Sequence, residues 1–398
     1  MSEVITISIT VHFAELPDPR GQSNAQRYSL HEILVIALCA TLGGATTFVE
    51  MSQFGQAKLD WFRSHLGLTL EWGIPSHDTF GKLFSALDPD QFAICFRKWT
   101  QAIYQETKGQ VLAVDGKTLR RSFDTATGQA ALHMVSAWAT RSRVVLGQFA
   151  VREKSNEIVA VPALLKLLDL SGCIVTADAL NCQKEVAGQI LKQQGDYLFA
   201  LKENHRWLHE DVAAYFDFAW GRAAKGVDTT ELFASQSSRT NYGHGRREQR
   251  SCWCLDATKG DFPEALRQWP GLRSVIMIER ERRTSQNAPE SGTRWSEPTR
   301  ERHFYLSSLE PDAERIADAV REHWGIENSL HWTLDMVFDE DRCRIRKDNA
   351  AINMTMLRHL TLNLVRQDKT SKLGIKVKLH RAGWDEDYML RLLTGDKS

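Results

Sequence analysis

The chain has no net charge, no Cys-x-x-Cys pair, no apolar run long enough to cross a bilayer, and no repeated or low-complexity tract. Each absence narrows what it can be. Fifty basic residues balance fifty acidic ones, so the whole-chain charge announces no nucleic-acid partner. The seven cysteines, at positions 39, 95, 173, 182, 252, 254 and 343, are odd in number. They read as reduced, buried thiols of a cytoplasmic protein. The longest apolar run, residues 33–42, is too short to span a membrane. No basic stretch followed by an apolar one opens the chain, so no signal peptide is expected. Without a repeat period, a solenoid or propeller is excluded.

What is present is ordinary in composition and uneven in distribution. A length of 398 residues suggests two or three domains, and 42% hydrophobic with 25% charged residues suits a soluble globular protein. Twelve tryptophans suggest large packed anchors. Residues 342–381 hold eleven Lys/Arg against two Asp/Glu, whereas residues 1–109 hold eight against eleven. The basic stretch is either a solvated face or a source of salt-sensitive phosphate affinity.

Residues 24–107 read as helices with clear starts. Ser29-x-x-Glu32 and Thr47-x-x-Glu50 are capping boxes. Asp88-Pro89 sets a cap and a first-turn proline, and Ser76 opens a short helix to Leu87. Short capped helices build either a helix-turn-helix or a plain bundle. The periodicity then changes. Residues 111–115, 131–139 and 144–152 read as strands, 160–168 as a helix, 173–178 as a strand, 183–193 as a helix closed by Gly195, 196–201 as a strand and 207–218 as a helix. Three antiparallel strands followed by helix–strand units match a ribonuclease-H-like mixed sheet flanked by helices, in which the first and fourth strands are neighbours. Residues 225–310 read as an inserted β-rich subdomain with a polar loop over 284–299. An amphipathic helix over 313–338 follows, then the basic tail. The expected division is 1–107 (all-helical, a DNA-recognising domain if its short helices form a helix-turn-helix), 108–224 (first part of the ribonuclease-H-like core), 225–310 (β insertion), 311–366 (amphipathic helix and rest of the core) and 367–398 (basic tail).

Two apolar strands end on an aspartate: Val114-Asp115-Gly116-Lys117 and Ala177-Asp178-Ala179. A carboxylate at the end of a buried strand is costly unless its charge is balanced. With a helical acid from further along the chain, the pair would form an oxygen site for hard divalent cations, the equipment of two-metal phosphoryl transfer. The alternative is two aspartates that merely cap turns. The helix offers Glu322, Glu327, Asp335, Asp339, Glu340 and Asp341. His323, Glu327, His331 and Asp335 recur every four residues as one stripe, either a mixed metal site or a polar face. Trp324 and Trp332 read as core residues, with DNA-stacking residues as the alternative. Lys117, Arg120 and Arg121 follow the first aspartate and could contact DNA or remain solvated. His244, Arg246, Arg247 and Arg250 surround a Gly-x-Gly turn suited to presenting guanidinium groups to phosphate. Arg344, Arg346 and Lys347 follow the acidic helix.

Val114-Asp115-Gly116-Lys117-Thr118-Leu119-Arg120, Asp178-Ala179-x-x-Cys182-Gln183-Lys184 and His323-Trp324-x-Ile326-Glu327-Asn328-x-Leu330-His331-Trp332-x-Leu334-Asp335 resemble the signatures of H-repeat-associated (ISAs-type) insertion-sequence transposases, which are DDE recombinases. Phe13-Ala14-x-Leu16-Pro17-Asp18-Pro19-Arg20 resembles the opening of the same family. The resemblance implies that Asp115, Asp178 and Glu327 are the catalytic, metal-holding acids. It implies two Mg2+ (or Mn2+) ions, DNA ends and target DNA as partners, and at least a dimer on DNA. His323 and His331 would then contact DNA or orient Glu327. The Tyr-x2-Arg-x3-Glu-x6-Lys pattern of related transposases is replaced here by Val320, His323, Glu327 and Leu334, and Glu203 in Lys202-Glu203-Asn204 replaces a usual glycine. Other readings are a structure-selective nuclease on the same fold, a catalytically silent DNA-binding derivative, and a His/carboxylate metalloenzyme.

Overall fold

The computed structural model describes residues 8–21, 27–103, 109–123, 128, 130–151, 157–228, 232–243, 245–259, 262–288 and 292–395. Six helices come first: α1 (Ser8–Phe13), α2 (Leu30–Leu42), α3 (Phe48–Ala57), α4 (Leu59–Leu66), α5 (His77–Ala86) and α6 (Pro89–Ile103). Strands β1 (Val111–Thr118), β2 (His133–Ala139) and β3 (Val144–Val151) follow. Next are α7 (Glu157–Leu165), β4 (Ile174–Ala177), α8 (Lys184–Lys192), β5 (Asp196–Leu201) and α9 (Arg206–Ala224). A strand-rich stretch holds β6 (Ser235–Gly243), β7 (Arg246–Asp256), the short α10 (Glu264–Arg267), β8 (Ser274–Ala288), β9 (Gly292–Trp295) and β10 (Thr299–Ser307). The chain ends with α11 (Ala313–His323), α12 (Trp332–Met336), α13 (Ala350–Gln367), α14 (Ile375–Trp384) and α15 (Glu386–Thr394).

Local chemistry sets the helix starts. Ser29 and Thr47 each accept from the backbone of the glutamate three residues on, whose carboxylate returns the bond, so both capping boxes are complete. Ser76 accepts from Thr79 N at the start of α5. Asp88 Oδ1 accepts from Asp90 N at 2.9 Å ahead of Pro89. Gly195 closes α8 as expected, its N–H donating to Ile190 O at 3.0 Å. The left-handed residue there is Gln194 (φ 60°), and a Cβ on Gly195 would lie 2.8 Å from the Leu170 carbonyl oxygen.

The chain forms two compact units, each assembled from separated stretches. The sheet unit comprises Thr107–Asp115 and Val161–Gly325, and the helical unit Met1–Glu106, Gly116–Ala160 and Ile326–Ser398.

In the sheet unit, β1 pairs parallel with β4 and β4 parallel with β5. β10 then pairs antiparallel with β5, β8 with β10, β7 with β8, and β6 with β7, while β9 extends β8 as a hairpin. The sheet is therefore mixed. The stretch expected as a separate β insertion continues this sheet, because Phe304↔Leu201 to Ser307↔Leu198 join β10 to β5. Much of the polar loop expected over 284–299 is strand, with β8 running to Ala288 and returning as β9. Polar sequence can be strand here because charges pair across it: Glu281 with Arg300 at 3.0 Å and Glu279 with Arg302 at 3.2 Å. The buried cluster Val111, Ile174, Leu198, Ile276, Ala313 and Ile316 packs α11 on the sheet.

In the helical unit, β2 and β3 form an antiparallel hairpin, with Arg143 left-handed (φ 59°) in its turn. The centre is α13, buried on nearly every side. Two of its asparagines bond the backbone of neighbouring elements. Asn363 accepts from Val145 N and donates to Val145 O, both at 2.9 Å. Asn353 Nδ2 donates to Phe84 O and Leu87 O at 2.9 Å.

The helix expected over 313–338 is not continuous. α11 stops at His323, residues Ile326–His331 form a π-helical turn, and α12 follows. A wider turn changes the angular step per residue, so the four-residue spacing of His323, Glu327, His331 and Asp335 does not make one stripe. Trp324 and Trp332, expected in the core, are 48% and 58% exposed.

Candidate active site

The β1–β4 register runs Val111↔Ile174 to Val114↔Ala177. One residue further on each parallel strand brings Asp115 and Asp178 to neighbouring carboxyl-terminal strand ends. The residues before them are buried and both aspartates are half-buried. Asp178 also caps the 3-10 turn Ala179–Asn181, its Oδ1 accepting from Asn181 N at 3.3 Å and Asn181 Nδ2 at 3.0 Å. The residues after β5 brace that turn: Asn204 Nδ2 donates to Ala179 O, and His205 Nε2 donates to Cys182 O at 2.6 Å.

His323, at the end of α11, faces the sheet, with Nδ1 2.9 Å from Thr176 Oγ1 on β4. Burial, helped by the Lys202 charge, pushes its pKa down to about 4, so the ring is neutral near pH 7. It is a half-buried group beside the strand that leads to Asp178, where the expectation was a DNA contact or an orienter of Glu327. Glu327 lies on the π turn of the helical unit, exposed beside buried Ile326 and Leu330. His331 is half-buried at the end of the same turn.

Lys117 is not a free DNA contact. In the helical unit its ammonium pairs with Asp335 and, at 2.7 Å, with Glu340 Oε2. Burial alone would lower its pKa, but Glu340 and Asp335 outweigh that and raise it. Glu340 is 2% exposed and also accepts from Thr355 Oγ1 at 3.2 Å and Arg358 Nη1 at 3.3 Å. Burial raises its pKa, yet Lys117 and Arg358 bring it down to about 2. In sequence, Glu340 is one of the helical acids offered beside Glu327 and Arg358 lies mid-helix, so neither announced this network. A second buried pair, His133 Nε2 with Glu157 Oε2 at 2.8 Å, continues through His133 Nδ1 to Thr118 Oγ1 at 3.0 Å. It explains the glycine after Asp115: a Cβ on Gly116 would lie 2.2 Å from His133 Nε2 and 2.7 Å from Glu157 Oε2.

The remaining basic candidates divide. Arg120 is exposed with Asp341 at 3.3 Å, and Arg121 is exposed. His244 lies outside the described residues. Arg246, Arg247 and Arg250 are not one cluster, because strand alternation sends Arg247 to the face opposite Arg246 and Arg250. Arg250 is paired with Glu248 at 2.5 Å, and Arg246 is exposed at the start of β7. Arg344, Arg346 and Lys347 all line one groove of the helical unit, where Arg346 Nη1 also donates to Phe123 O at 3.0 Å.

Among the described residues no group of three or more His, Cys, Asp or Glu side chains converges as a metal site. What the sheet unit supplies is two oxygen-donor carboxylates at adjacent strand ends, a donor type that suits hard divalent cations. Residues 106–364 match the family described as Transposase DDE domain, and residues 10–100 match its companion, described as DDE_Tnp_1-associated. The chain belongs to the DDE transposases. This transposase is 35% identical to the H repeat-associated protein YhhI of Escherichia coli strain K12 over 384 residues, 96% of this chain and 97% of YhhI. The transposase is also 40% identical to an uncharacterized protein in the dhlA 3' region of Xanthobacter autotrophicus, over 68% of this chain and 87% of that one. Among solved structures, the piggyBac transposase synaptic complex with hairpin DNA matches at TM-score 0.40 and 10% identity, over 100% of this chain and 79% of that chain, a likeness too distant to inform the site.

Proposed function

We propose that this transposase binds the terminal inverted repeats of its own insertion sequence, cuts the DNA there and joins the freed 3′ ends to target DNA. The observation that carries the reading is the pair Asp115 and Asp178 at neighbouring ends of parallel strands. That pairing, with the helix–strand units after it, supports a ribonuclease-H-like core.

Asp115 and Asp178, with Glu327 as third acid, would hold two Mg2+ or Mn2+ ions. Such ions polarise the scissile phosphate and activate the attacking oxygen. The chain's own residues do the positioning. Asn181, Asn204 and His205 fix the turn behind Asp178. His323, neutral near pH 7, packs on Thr176 without adding a second positive charge beside Lys202. Water serves as nucleophile for cleavage and the 3′-hydroxyl for joining, each by in-line displacement. Joining two ends requires both in one assembly, so at least a dimer forms on DNA. The setting is cytoplasmic, in keeping with buried free thiols.

The test is incubation of the full chain with labelled duplex carrying the flanks of its gene, with Mg2+ and with EDTA. Nicks at the repeat ends, dependent on Mg2+ and lost in Asp178→Asn, are expected. Uncut flanks with purified, folded protein would overturn the reading.

A further inference from the structure

A groove of about 680 Å3 opens in the helical unit between the first turn of α3, one side of α5 and the chain around residues 339–350. Phe48, Val49, Gly81 and Ile345 give it an apolar floor. Its walls carry Lys82 from α5, and Arg342, Arg344, Arg346 and Lys347 from the segment after the acidic run. Two carboxylates line it: Asp339, with Arg342 at 3.7 Å, and the exposed Asp78, beside His77 at 3.5 Å.

Arginines of the β-rich stretch are largely neutralised, as in Arg250–Glu248, Arg283–Glu281 and Arg300–Glu281. In the groove, Lys82, Arg344 and Lys347 have no carboxylate within ion-pair distance among the described residues. Like charges held together in one cleft raise its potential for an anion. The segment is pinned between two left-handed residues, Asp339 (φ 53°) and Asp348 (φ 46°). Between them, exposed Arg342 and Arg344 alternate with half-buried Cys343 and Ile345.

The size selects the form of DNA. A cleft within the roughly 300–1,000 Å3 range of small-molecule sites takes a nucleotide or two and no duplex. Cationic walls with apolar surface for the bases is the combination that binds unpaired strands. We infer that this groove binds an unpaired DNA strand, phosphates on Lys82, Arg344 and Lys347, bases against Phe48 and Val49. The inference rests on the transposase reading for the source of that strand, the opened or cut element end.

The test uses the full chain without metal, and fluorescence anisotropy with labelled (dT)12 and with the (dA)12·(dT)12 duplex over a salt series. Tighter binding of (dT)12 is expected. The triple variant Lys82→Ala, Arg344→Ala, Lys347→Ala should weaken (dT)12 at least about tenfold and flatten the log–log salt slope by about two, at roughly 0.7 per phosphate lost. Val49→Glu should weaken (dT)12 and spare the duplex. Arg344→Lys should retain most binding, and unchanged melting should exclude misfolding. The inference is overturned if the triple variant binds (dT)12 like the wild type, or if the wild type prefers duplex. The flank-cleavage assay on the same preparations separates the two failures. Cleavage by wild type with an unaltered triple variant sinks the groove alone; groove-dependent strand binding without cleavage sinks the transposase reading alone.

Discussion

Lys117 reaches Glu340 at 2.7 Å across 223 residues of sequence, and the glutamate it meets is almost wholly buried. Removing the cation leaves a buried carboxylate with only Arg358 and Thr355 as partners. Breaking a buried pair from one side costs about 3–5 kcal/mol. Lys117→Met should therefore lower the urea midpoint of the helical unit well below that of Arg120→Met, whose partner is a surface ion pair. Equal midpoints would show that the network contributes little.

The same glutamate sets an acid limb. Its folded pKa, about 2, lies below the ordinary carboxylate value, so its contribution is full above that ordinary value. As pH falls from about 4.5 toward 2 the contribution is lost. Glu340→Gln should reduce the pH dependence of stability across that window, read by denaturant unfolding at each pH.

His323 titrates in a different window. Its folded pKa of about 4 lies below the free imidazole value, so stability is present above about 6.5 and falls as pH drops toward 4. Thr176→Val strips the ring of its hydroxyl partner and should cost about 1–3 kcal/mol. NMR of labelled histidine, with the His323 signal assigned by its loss in His323→Gln, should find that ring still neutral at pH 5, as buried His359 is too; a protonated His323 would refute the assignment.

Gly116→Ala is expected to fail through sterics alone. The new methyl must displace the His133–Glu157 pair, at about 1–3 kcal/mol for overpacking. Thermal melting should show the drop, while Gly221→Ala, where a Cβ meets nothing within 4 Å, should not.

Asp115→Asn, Asp178→Asn and Glu327→Gln should each remove flank cleavage by on the order of a thousandfold, about 4 kcal/mol of barrier. Asparagine still caps the turn at 178, and Glu327 is exposed, so melting should barely move for those two. A variant that still cleaves removes its residue from the catalytic set.

Local signals were legible where local physics decides. Ser29, Thr47 and Ser76 mark helix starts because each cap needs only three following residues. The apolar runs before Asp115 and Asp178 read as buried strands, and these two strands are neighbours. Long-range charge was not legible. Nothing near Lys117 tells that Asp335 and Glu340 will bury it, whereas Glu248, two residues before Arg250 on the same strand face, is a local partner. The π turn at Ile326–His331 escaped because a helical hydrophobic pattern hardly changes when one turn widens. The strand character of 284–288 was hidden because a hairpin outside the core needs no apolar alternation.

α13 has an implication for synthesis on the ribosome. The helices over 30–103 complete their packing on a helix that begins at Ala350, through Asn353 to the backbone of Phe84 and Leu87. Their emergence first from the exit tunnel gains them nothing, since the surface they pack on is translated about 250 residues later. Nascent chains should stay sensitive to protease in this region until α13 has emerged. A transcript cut short before codon 350 would yield a product whose first hundred residues cannot finish folding, so premature termination silences the N-terminal helices as surely as it removes the C-terminal ones.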